Sequence, residues 1–98
     1  MKVQYRARAL EDIDAIYSWL GERTISARRV ENAIFRACDM LSEHTGFGSA
    51  TDEQDVLRWP LTKYPYTIFY FLGHERVVEI LRVAHGKRVR NLKRMPRE

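Results

Sequence analysis

Apolar and polar positions first alternate, then recur at helical spacing, and finally run together. Val3 and Tyr5 flank Gln4 with Arg6 following, the alternation of a short strand best used as an addition to a later hairpin. From about Ala9 the period changes. Leu10, Ile13, Ile16, Tyr17 and Leu20 recur at three and four, which predicts an amphipathic helix over residues 9–20. Glu11, Asp12 and Asp14 fall off that stripe and read as solvated, dipole-complementing positions of an acidic first turn, and Gly21 suits a left-handed helix end. Thr24 or Ser26 can cap a second helix whose inward positions are Ala27, Val30, Ile34, Ala37, Cys38 and Leu41. The short link at residues 21–24 makes the two helices an antiparallel hairpin. Arg28, Arg29, Glu31, Asn32, Arg36 and Asp39 mix signs on the outer face, where solvent exposure is expected.

Residues 44–55 (HTGFGSATDEQD) have no usable periodicity and read as a loop. VLRW at 56–59 is a strand stopped by Pro60. Residues 67–72 and 77–84 are aromatic, β-branched and aliphatic, joined by the polar turn Gly73, His74, Glu75, Arg76. Pro65 belongs at the entrance of the first of these runs, because it cannot donate to a ladder. Both runs are nearly continuously apolar, so most of this hairpin needs cover, and the α-hairpin supplies it. The expected fold class is α+β: an N-terminal strand, an antiparallel α-hairpin, then a three-stranded antiparallel meander, all in one domain of 98 residues.

Composition adds a charge asymmetry to this picture. The net charge is +4, yet residues 1–81 hold 10 Lys and Arg against 12 Asp and Glu, while residues 82–98 hold seven basic residues against one acidic. The basicity therefore belongs to a C-terminal tail, about residues 86–98, suited to an acidic partner or a phosphate backbone, or serving only as a solvated terminus. No apolar run spans a bilayer and no signal-peptide core follows Met1, so a cytoplasmic location is expected. Cys38, the only cysteine, reads as a small buried hydrophobe.

Formal catalytic and phosphate-loop motifs are absent, and His44, His74 and His85 lack metal-ligand spacing, so neither metal nor cofactor is expected. What remains is a basic cluster at the strand ends: Arg58, Arg82, His85, Lys87, Arg88 and Arg90. Arg58 and Arg82 can share a face of the meander. Arg82 and His85, three apart, point to opposite faces of a regular strand unless a bulge intervenes. Such a cluster could hold phosphate or acidic side chains, with His85 moving a proton. Equally, Arg82 could pair with a core carboxylate such as Glu79 or with a helix end, and His85 could bond backbone at the strand exit.

Arg58 on a short strand, YPYTIFY at 64–70 and ILRVAHGKR at 80–88, preceded by a helix carrying EDIDAIYSWL, together resemble the ParE branch of the RelE/ParE superfamily of type II toxin–antitoxin toxins, which includes plasmid-stabilisation toxins. The likeness covers residues 5–88. It implies a growth-arresting toxin bound in a hetero-oligomer by a ParD-like antitoxin, whose disordered C-terminal segment folds along the toxin surface. ParE-like members poison DNA gyrase with no known catalysis of their own. RelE-like members cleave mRNA in the ribosome through basic residues and a Tyr or His near the C-terminus. Here the stretch at 67–70 is uncharged where some ribonucleases carry a basic residue, and no terminal aromatic follows His85, so the gyrase target is favoured. The resemblance puts Arg58, Arg82, His85, Lys87, Arg88, Arg90, Lys93 and Arg94 in target binding. Under the alternative, Arg58 and Arg82 would hold phosphate and His85 would transfer a proton in an mRNA endoribonuclease. A third possibility is an inactive member serving only in an antitoxin-bound repressor complex. Phe35 and Met40 are candidate antitoxin contacts, whereas Trp19 and Trp59 read more readily as core. Many relatives have Pro after the second helix, where this chain has His44, Thr45 and Gly46.

Overall fold

Two helices cover one face of a five-stranded sheet in the computed structural model, which describes residues 1–86. The strands are β1 (Lys2–Tyr5), β2 (Ser49–Ala50), β3 (Leu57–Pro60), β4 (Tyr66–Leu72) and β5 (Val77–His85); the helices are α1 (Ala7–Trp19) and α2 (Ile25–Glu43). Sheet order is β1-β5-β4-β3-β2, antiparallel except where β1 runs parallel to β5. The expected α+β order stands, and the loop adds a short strand of its own. Residues 44–55 contain a turn of 3-10 helix at Thr45–Phe47 and then β2, which pairs with β3.

The chain leaves β1 for α1 within one residue. Arg6 keeps extended angles and gives its N–H to the Ile80 carbonyl at 3.0 Å, so the helix begins at Ala7, two residues before the periodicity suggests. Glu11 and Asp12 consequently lie beyond the first turn, which contains no acid. Leu10 is exposed rather than inward. Gly21, at φ +94°, does turn the chain out of α1, and the Thr24 hydroxyl caps α2 by accepting from the Ala27 N–H at 3.1 Å.

Ala9 and Ile13 of α1 and Val30, Ile34, Cys38 and Leu41 of α2 pack onto Tyr66, Ile68 and Tyr70 of β4 and Val78, Ile80 and Val83 of β5. Complete burial of side chains such as Ile34 and Leu41 contributes about 1.5–3 kcal/mol each. The opposite face of the sheet holds a smaller cluster of Val56, Phe69 and Leu81, joined by Phe71 and Ala84. A β-bulge separates the two halves of the β4–β5 ladder. Phe69 pairs with Arg82 and Tyr70 with Ile80, leaving Leu81 as the extra residue. That extra residue moves Val83 back to the helix side, three positions after Ile80. A bulge plus two apolar faces explains why the sequence shows a continuous apolar run instead of alternation. No described helix is long and apolar enough to cross a membrane.

Candidate functional site

Register places two of the expected site positions, Arg58 and Arg82, in one row. Ser49 pairs with Arg58, Arg58 with Phe69, and Phe69 with Arg82, so both arginines leave their strands on the same side as Phe69, which lies between them. Two strand spacings separate their backbones by roughly 10 Å. Arg58 is half-buried. Arg82 is committed to Asp12: its Nε donates to Oδ2 at 2.6 Å and its Nη2 to Oδ1 at 3.1 Å. The Val83 N–H donates to the same Oδ2 at 3.0 Å.

Asp12 is therefore not a solvated helix position. Its side chain is 13% exposed and that of Arg82 16%, a nearly buried, bidentate pair tying α1 to β5. Arg82 does pair with a carboxylate, but the partner is Asp12 in the body of α1, neither Glu79 nor a helix end. Glu79 instead accepts from Arg6 Nε at 2.8 Å, and the Arg6 guanidinium lies 5.5 Å from the centre of the Phe71 ring.

His85 does not join the arginines. The bulge falls before Arg82 and so leaves the two residues on opposite faces. His85 pairs with Tyr66 and meets its ring edge-on, 5.6 Å between centroids, and is itself exposed. Beyond it, Gly86 at φ +84° turns the chain and donates to the Pro65 carbonyl at 2.7 Å. Lys87, Arg88, Arg90, Lys93 and Arg94 lie outside the described residues. Arg58 and Arg82 thus flank the middle of β4 while His85 lies beside its first residue, and among the described residues no cluster of His, Cys, Asp and Glu could hold a metal ion.

The candidate apolar contacts also sort differently from expectation. Trp19, assigned to the core, is 83% exposed at the end of α1. Trp59 packs against the main core, and so do Phe35 and Met40, both only partly buried. Phe35 meets Tyr5 edge-on at 5.5 Å. Phe47, in the loop, is exposed and lies between His44, stacked at 5.0 Å, and Trp59 at 5.8 Å.

Two buried polar groups had no sequence signal. The Tyr70 hydroxyl accepts from the Gly48 N–H at 2.9 Å and donates to the Thr45 carbonyl at 3.2 Å, pinning the loop to the sheet. Burial pushes that phenol up despite the bond from Gly48. Tyr5 lies beside Cys38 beneath the helices. Burial raises the Tyr5 phenol and, against a hydrogen bond from Tyr5, pushes the Cys38 thiol up to about 12. Cys38 is the small buried hydrophobe its spacing indicates, and its thiol is inert.

This arrangement of helices and sheet recurs in solved structures. The chromosomal ParDE system of P. aeruginosa superposes with a TM-score of 0.77 at 20% identity, over 89% of this chain and 97% of that one. The isolated E. coli RelE toxin gives 0.64 at 15% identity, over 91% and 87%. The RelBE2 toxin–antitoxin complex of Mycobacterium tuberculosis gives 0.64 at 19%, over 86% and 95%. At such identities these likenesses establish the fold. None of the curated proteins matches this sequence significantly. The sequence profile of the ParE toxin of the type II toxin–antitoxin system parDE does match, over residues 3–90. With nearly the whole described fold inside that match, the chain belongs to the ParE toxin family of type II toxin–antitoxin systems.

Proposed function

We propose that this chain is a growth-arresting toxin that inhibits DNA gyrase without catalysis of its own and is neutralised by a ParD-like antitoxin. The observation that carries the reading is the commitment of Arg82 to Asp12, with His85 on the other face of the sheet. A nuclease needs its phosphate-holding cations and its proton donor around one scissile bond, within hydrogen-bond reach of it. Here one candidate cation is neutralised from within and the candidate proton donor lies across the sheet. The family assignment supports an antitoxin partner, and the toxin–antitoxin complexes among the similar folds agree with it. Target binding then falls to Arg58, His85 and the basic residues from Lys87 onward, with a cytoplasmic site of action.

Purified chain added to supercoiled DNA and gyrase is expected to accumulate cleavage complexes and block supercoiling, while mRNA on programmed ribosomes stays intact. Cut mRNA with untouched gyrase would turn Arg58, Arg82 and His85 into an active site and sink this reading.

A further inference from the structure

The partners of Asp12 form a recognisable donor set. Arg82 offers two N–H groups in a fork, Val83 offers a backbone N–H, and Arg8 Nε stands 3.9 Å from Oδ1. Because β1 stops pairing with β5 at Ile80, the Val83 N–H lies on a stretch of β5 that β1 does not reach, and the carboxylate stands there. A guanidinium fork and a backbone N–H on one oxyanion, with a second guanidinium at ion-pair distance, is the chemistry by which proteins hold carboxylate and phosphate.

We propose that Arg8, Arg82 and the Val83 N–H constitute an anion site that this chain fills with its own Asp12 carboxylate, closing it to phosphate and carboxylate ligands from outside. Asp12 hangs from a helix anchored on both sides by the buried Ala9 and Ile13. The carboxylate is thus presented to the site at an effective concentration that free anions do not match. The inference deepens the gyrase reading, on which its biological meaning rests, by naming the contact that withholds Arg82 from nucleic-acid phosphate.

The test titrates inorganic phosphate, and formate as a second anion, into wild-type and Asp12→Ala chains during thermal unfolding. Asp12→Ala is expected to gain a saturable rise of roughly 5–10 °C in Tm with phosphate at about ten times its Kd. The wild type should show only the non-saturating background common to both, and adding Arg82→Gln should remove the gain. Equal shifts in wild type and Asp12→Ala, or no saturable shift in a folded Asp12→Ala chain, would overturn the proposal. If Asp12→Ala is unfolded from the start, Asp12→Ser decides, since its shorter polar side chain stays hydratable at the site while leaving the guanidinium fork open. A saturable phosphate shift there upholds the site, and none rejects it. Neither gyrase nor mRNA enters these assays, so a failure here is distinct from a failure of the gyrase reading.

Discussion

Arg82 shows how one residue type can be read in two ways until its partner is known. Removing one member of a nearly buried ion pair leaves the other without compensation, which costs about 3–5 kcal/mol. Arg82→Ala should lower stability by about that much in chemical denaturation, and Arg82→Lys should recover only part, because a point charge cannot reproduce the fork. A loss under 1 kcal/mol would mean the pair is not formed in solution. The helical period distinguished the apolar side of α1 well enough, but nothing local separates Asp12 from Asp14. Asp12's partner stands 70 positions later, and only the fold brings the two together. Cys38 was legible because a thiol in an apolar stripe needs no distant partner to explain it. Its folded value lies above the ordinary 9.0, so the neutral thiol stabilises the fold fully below pH 9. That contribution should fade as pH rises from about 9 toward about 12, where unfolded chains ionise and folded ones resist. A denaturation midpoint that declines over this range, with a shallower decline in Cys38→Ala, would bear this out; identical profiles would not.

At the level of elements, the helices were legible from periodicity and the main strands from β-branched and aromatic runs between turn signals, and the failures share a cause. The start of α1 is set by where Arg6 finds the Ile80 carbonyl, a contact with the far end of the chain, and the resulting shift exposes Leu10 and frees the first turn of acid. The bulge at Leu81 and the pairing of β2 with β3 are likewise decided by neighbours in space. The loop at 44–50 owes its shape to Tyr70. A methyl at Gly48 would collide with the Tyr70 hydroxyl and ring, which are buried and cannot move aside. Gly48→Ala should therefore destabilise by about 1–3 kcal/mol. Tyr70→Phe should cost about 1–2 kcal/mol by leaving the Gly48 N–H and Thr45 carbonyl unmatched. Both changes should speed amide exchange and proteolysis at 44–50 before they affect β4 or β5; uniform loss of protection across the sheet would argue against a locally pinned loop.

For the whole molecule, the gathering of basic residues at the end of the sequence makes a distinct prediction. The described core is assembled from residues up to Val83, while six of the seventeen basic residues lie at Lys87 and beyond. Deleting residues 89–98 should keep the circular dichroism spectrum and denaturation midpoint and abolish growth arrest; full toxicity in the shortened chain would remove the tail from target binding. The parallel pairing of β1 with β5 carries another consequence. The first strand of the chain waits for the last, which lies between it and β4. Contacts so distant in sequence are slow to form and come late. On the ribosome, β1 has no strand to pair with until β5 emerges, so the chain remains without its complete sheet for most of its own synthesis.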